Sequence, residues 1–186
     1  MNHVKIPMVG FCAWSGTGKT TLLTRLIPLL VARGLRVGVV KHAHHSFDID
    51  YPGKDSYELR AAGASQMLIA SRKRTALITE LEDRQGEPSL ADALSQLNMQ
   101  EIDLILVEGF KHEQYRKIEL HRPALNKPLL FPDDPNIVAV ASDAVIAGNH
   151  TIPALDLNNP EQIMQFISDH ILPAPAALTA SGHGSS

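Results

Sequence analysis

The run Ala13-Trp14-Ser15-Gly16-Thr17-Gly18-Lys19-Thr20 has the residue types and spacing needed to hold a phosphate group. Glycines let successive backbone N–H groups turn toward one point, and a helix starting there adds partial positive charge. Lys19 then reaches the β- and γ-phosphates of a nucleotide, and the Thr20 hydroxyl is placed to ligate Mg²⁺. The binding set is Ser15, Gly16, Thr17, Gly18, Lys19, Thr20 and Thr21. The usual pattern is Gly, four residues, then Gly-Lys-Ser/Thr. Ala13 replaces the first glycine, which is acceptable where that position does not need positive φ.

Carboxylates come next. Glu108 ends the apolar run Ile102–Val107, where a metal-side acid is expected at the end of a neighbouring strand. Asp103, at the other end of that run, should be far from the phosphates. Asp143 follows Ile137–Ser142. Many GTP-binding proteins end a strand with Asn/Thr-Lys-x-Asp, whose aspartate reads guanine. Here only the aspartate is present, with Ala141 at the lysine position. A charge-assisted hydrogen bond would favour guanine over adenine by about 10- to 150-fold; a turn cap is the plain alternative. Asp48 and Asp50 are secondary candidates for a water-mediated Mg²⁺ contact. His42, His44 and His45 fit a phosphate-facing loop, a Zn²⁺ or Ni²⁺ site, or a solvated loop. Lys111 and His112 should lie at the rim.

These groups must be carried by alternating strands and helices. Ile6–Ala13 reads as a buried strand, and Lys19–Arg33 as a helix with Leu22, Leu23, Leu26, Ile27 and Leu30 on one stripe and Gly34 beyond its end. Pro28 should kink that helix or cost it a hydrogen bond. Arg36–Val40 reads as a second strand, parallel to the first. Asp55 reads as the N-cap of a short helix, with Glu58 completing a capping box and Gly63 ending it. Gln66–Ala70 and Thr75–Thr79 suggest a hairpin around Arg72-Lys73-Arg74. Pro88–Leu97 and Pro160–Ile171 are helical, and Ile102–Val107 and Ile137–Ala141 are buried strands. Lys117–Leu120 alternates weakly, and Leu129–Phe131 is a further short strand candidate. The expected fold is α/β, P-loop NTPase-like: a mostly parallel sheet with helices on both faces and an added β-hairpin. Residues 1–172 form one nucleotide-binding domain. The Ala/Pro/Ser/Gly-rich segment 173–186 reads as a disordered tail.

With 186 residues, 44% of them hydrophobic, the chain can bury a sizeable core. A net charge of −3 gives no reason to expect nucleic acid as a partner. No apolar run reaches the roughly 18 to 20 residues of a membrane span. Cys12 is the single cysteine, so no internal disulfide forms. No secretory signal is visible, and a cytoplasmic location is expected.

Four motifs in order then resemble one family. They are the loop Ala13–Thr21, Lys41-His42-Ala43-His44-His45, Pro52-Gly53-Lys54-Asp55-Ser56-Tyr57-Glu58-Leu59-Arg60 and Val107-Glu108-Gly109-Phe110-Lys111. The chain up to about Leu172 is similar to molybdopterin-guanine dinucleotide biosynthesis protein B. The resemblance implies a homodimeric GTP-binding adaptor with weak, Mg²⁺-dependent GTPase activity. It implies assistance to the guanylyltransferase that joins GMP to molybdopterin, with molybdopterin and molybdoenzyme assembly proteins as further partners. Slow hydrolysis also follows from the residues. No glutamine is placed to orient water, and Arg72, Arg74, Arg116 and Arg122 have no spatial assignment from sequence. Two alternatives stay open. Val107-Glu108-Gly109 is similar to dethiobiotin synthetase, an ATP-using enzyme, and the histidines fit a metal-insertion GTPase.

Overall fold

The computed structural model describes residues 6–43, 47–81, 86–146, 148 and 151–173. In chain order the elements are β1 (Met8–Cys12), α1 (Lys19–Ala32), β2 (Val37–Lys41), α2 (Asp55–Ala61), β3 (Gln66–Ala70) and β4 (Thr75–Thr79). There follow α3 (Leu90–Ser95), β5 (Leu104–Glu108), β6 (Lys117–His121), β7 (Ile137–Ser142), β8 (Ala154–Asp156) and α4 (Pro160–His170). They divide into two compact units, one built from the residues up to His42 and from Leu90 onward, the other from 43–89.

The larger unit holds six strands in the order β2-β5-β1-β6-β7-β8, every pair parallel. β1 and β2 are parallel, as the strand–helix–strand pattern requires, but they are not neighbours. β5 lies between them, its all-buried Leu104–Val107 suited to a strand covered on both faces. Alternation divides the core. Val9, Phe11, Leu104, Leu106, Ile118 and Leu120 face α1 and α4, whereas Ile105 and Val107 join Leu90 of α3, Phe110 and Tyr115 on the other face.

α1 forms because Leu22, Leu26 and Leu30 recur every fourth residue and bury one stripe. Leu26 and Leu30 are fully buried, worth roughly 1.5–3 kcal/mol each. Pro28 sits on the exposed side, and the helix runs through it. It leaves the Thr24 carbonyl without its usual backbone donor, where water can serve. α4 starts cleanly, with the Asn159 side chain accepting from Gln162 N–H and Pro160 in the first turn. Arg33 ties the two helices through Gln165 and Ser168.

β6 is fully buried, although its sequence alternates only weakly. Its polar side chains are covered and satisfied. Lys117 donates to Asp134 and to the Lys111 carbonyl, both at 2.8 Å. Glu119 accepts from the N–H groups of Leu130 and Phe131 at 2.8 and 2.9 Å. Leu129–Phe131 is therefore not a strand but a segment pinned by a buried carboxylate. β8 was not expected: three residues that extend the sheet past β7 carry too little pattern to be seen.

In the second unit, β3 and β4 form the expected antiparallel hairpin as a separate two-stranded sheet. α2 begins one residue differently from expectation. Lys54 is the N-cap, with no side-chain cap bond, and Asp55 is the first helical residue. Glu58 reaches back to Gly53 N–H at 3.1 Å rather than to the N-cap. The acids Asp55 and Glu58 still favour that end through the helix dipole. The segment proposed as a tail lies outside the described residues from 174 onward.

Candidate functional site

β1 delivers the chain to the C-terminal edge of the sheet, and residues 13–18 turn it back into α1. Ala13 is not at positive φ, so its Cβ is no obstacle. Gly18 is the N-cap of α1 at φ 101°, a conformation that disfavours any side chain. Leu22 N–H bonds the Gly18 carbonyl at 2.9 Å and starts the helical ladder. The N–H groups of Gly18, Lys19, Thr20 and Thr21 have no acceptor among the described residues. No acidic residue occupies the first turn of α1, so no internal carboxylate competes for those donors. Lys19 folds over the loop, its Nζ donating to the Ala13 carbonyl at 3.3 Å. Thr17 closes the loop, its hydroxyl bonding the Trp14 carbonyl at 2.7 Å.

Strand order sets what flanks the loop. On one side β5 pairs with β1, Phe11 opposite Glu108, so Glu108 ends its strand beside the loop. Its carboxylate faces Lys41 of β2 at 3.6 Å. The following turn is tightly built. Gly109 has φ 94°, and a Cβ there would stand 2.6 Å from the His42 Cβ. Phe110 also has positive φ, 48°, and is held by burial and by stacking on the His42 ring at 4.6 Å. Two successive residues of this kind hold the backbone of the turn that follows Glu108 in one unusual conformation. Thr20 is exposed, and a hydroxyl with a carboxylate is a hard-oxygen donor set that suits Mg²⁺.

On the other side β6 pairs with β1, and β7 with β6, His121 opposite Ser142. The next residue of each strand is therefore Arg122 and Asp143, and these form an ion pair. Arg122 Nε also donates to the Thr17 carbonyl at 2.8 Å. Sequence reasoning left Arg122 unassigned; its signal was its place one residue beyond a strand next to β1, which cannot be read before strand order is known. Trp14, mostly outside the core, donates from Nε1 to the Pro128 carbonyl at 2.8 Å, with Lys127 over its ring.

Asp103 lies at the opposite end of β5, as expected. Arg36 grips it bidentately at 2.8–2.9 Å and holds its carboxyl low, at about 2. Asp48 belongs to the smaller unit, where it pairs with Arg60 at 3.0 Å; Arg60 also binds Asp50 and Glu80. A depression of about 390 Å³ in that unit is lined by Asp48, Tyr57, Arg60, Ala61, Glu80 and Leu81, its carboxylates committed to the guanidinium. His44 and His45 lie outside the described residues. Lys111 and His112 are exposed, and the Lys111 carbonyl anchors Lys117. Cys12 is buried, and burial, with nearby Glu119, pushes its thiol up to about 12. No helix among the described residues is long and apolar enough to cross a membrane.

A parallel sheet whose central strand feeds a glycine-rich loop and a helix N-terminus defines a P-loop NTPase-like fold. Residues 8–143 match the family described as MobB, molybdopterin guanine dinucleotide synthesis protein B, and the chain belongs to that family. It is 50% identical over 163 residues to the molybdopterin-guanine dinucleotide biosynthesis adapter protein of Escherichia coli K12, covering 87% of this chain and 91% of the relative. The protein of the same description from Haemophilus influenzae is 43% identical over 170 residues, 91% of each chain. A crystal structure of molybdopterin-guanine biosynthesis protein B superposes with a TM-score of 0.66 at 27% identity, covering 87% of this chain and 98% of the other.

Proposed function

We propose that this protein is an adaptor in molybdopterin guanine dinucleotide biosynthesis, as the names of its relatives have it, and that it binds GTP. The observation that supports nucleotide binding most directly is the cluster of unpartnered N–H groups at Gly18–Thr21 beneath Lys19. Four backbone donors at a helix N-terminus and one ammonium are the groups that would hold a β-phosphate there. Thr20 and Glu108 are the residues we assign to Mg²⁺; the Asp48 carboxylate is already held by Arg60 within the smaller unit. Bound Mg²⁺ would neutralise charge on the β- and γ-phosphates.

Asp143 is our candidate for reading guanine. One carboxylate oxygen is held by Arg122, and the other has no hydrogen bond among the described residues. Hydrolysis would be in-line attack of water on the γ-phosphate, with Lys19 and the loop amides bearing the developing charge. No residue in the loop is a base for that water, so turnover should be on the order of 10⁻² s⁻¹ or slower. Slow turnover suits an adaptor that hands on a nucleotide or a cofactor. The partners we assign are the molybdopterin guanylyltransferase, a second copy of this chain, and molybdopterin with molybdoenzyme assembly proteins, all in the cytoplasm.

Calorimetry with GTP and ATP in Mg²⁺ tests the first step. GTP should bind more tightly, and Lys19→Ala should weaken it by at least about 10-fold. Tight ATP binding with turnover of a third substrate would replace the adaptor reading with that of an ATP-dependent enzyme. A pull-down of the guanylyltransferase, with and without GTP and Mg²⁺, tests the second step, and no capture in either condition removes the adaptor role.

A further inference from the structure

We infer that Arg122 is a positioning residue of the phosphate loop, and that Asp143 acts on phosphate affinity by holding Arg122. The inference deepens the nucleotide-binding reading above and rests on it. In a trans peptide the carbonyl and the following N–H point in opposite directions. Thr17 O and Gly18 N–H share one such peptide, and no cis bond occurs among the described residues. Arg122 Nε holds the Thr17 carbonyl toward β6 at 2.8 Å. The Gly18 N–H is thereby turned the other way, into the cradle. A glycine at φ 101° has few steric limits on that peptide, so an external tether decides its orientation.

The guanidinium suits the task because it is a planar fork. Nε serves Thr17 while Nη1 pairs with Asp143, and Nη2 lies over Gly18, 3.7 Å from where a Cβ would be. A lysine carries the same charge but cannot make both bonds in that geometry. Asp143 supplies the second anchor from β7. The loop is thus fastened to two strands beyond its own, and base and phosphate recognition share one carboxylate.

The test is calorimetry of inorganic tripolyphosphate, ATP and GTP, each with Mg²⁺, on the full chain. It compares wild type with Arg122→Ala, Arg122→Lys and Asp143→Asn. Arg122→Ala should weaken all three ligands by a common factor of about 10 or more. Arg122→Lys should recover little of that loss. Asp143→Asn should weaken tripolyphosphate and ATP as well as GTP, with GTP losing most. Full recovery with lysine would reduce Arg122 to a point charge and overturn the inference. So would a loss confined to GTP, or unchanged tripolyphosphate binding in Arg122→Ala. Should a variant fold poorly, the amide resonance of Gly18 in Arg122→Lys gives an independent reading, and an unmoved resonance overturns the inference. A wild-type chain that binds none of the three ligands removes the nucleotide reading itself, a result distinct from any of these.

Discussion

At the scale of single residues, burial decides which reactive groups are available. Cys12 lies one residue before the loop, yet its thiol sits against the Ile118 carbonyl with its pKa pushed up to about 12. The thiolate is the nucleophile, so native protein at pH 8 should resist a thiol reagent that reacts at once after denaturation. A stoichiometric reaction of the folded chain within minutes would contradict this. The sign of the pH effect follows from the same shift. An ordinary thiol titrates near 8.5, so between about 8.5 and 12 the folded chain binds more protons than the unfolded one. Cys12 therefore contributes stability below about pH 8.5 that is lost progressively as pH rises toward 12. Cys12→Ala should flatten the alkaline limb of a urea-midpoint profile.

At the scale of elements, β6 shows what sequence patterning can and cannot reveal. The loop with α1, the strand β5 and the hairpin were legible because their signals are local: glycine spacing, a leucine stripe, a run of four apolar residues, two strands around a turn. β6 was only faintly legible because Lys117 and Glu119 occupy buried positions of a central strand. Their side-chain and amide partners, Asp134 for Lys117 and the Leu130 and Phe131 N–H groups for Glu119, lie 11 to 17 residues away, and only the Lys111 carbonyl is nearer. The same limit hid Arg122 and its tie to the loop, since strand order alone brings β6 beside β1. Burial pushes the Glu119 carboxyl up while the two amides pull it down. Glu119→Gln offers one acceptor oxygen where two N–H groups need one each, and sets its amide NH₂ donor against the other N–H. It should destabilise the protein by about 1–3 kcal/mol in urea unfolding, and a midpoint equal to that of wild type would show that the 130–131 segment is held by something else.

At the scale of the whole molecule, the smaller unit poses a separate question of what covers it. Leu68 and Leu77 are directly opposed in the hairpin register and 61% and 50% exposed, on the face of a two-stranded sheet. An isolated hairpin of this size is marginal in water, and apolar cross-strand pairs normally gain their value by being covered. The unit also exposes the large apolar side chains of Phe47, Ile49, Tyr51 and Leu59. A second copy of the chain is the partner we assign to this surface, because a self-complementary strip needs only a two-fold axis to bury both leucine pairs at once. On that reading, light scattering should give twice the 20.3 kDa chain mass for the wild type. Leu68→Glu with Leu77→Glu should move it to the mass of one chain, because four carboxylates would then face one another across the axis. GTP affinity should change little in that variant, since the phosphate loop belongs entirely to the other unit. A wild type that stays monomeric at tens of micromolar, or a double variant that stays dimeric, would assign the exposed hairpin face to a different occupant.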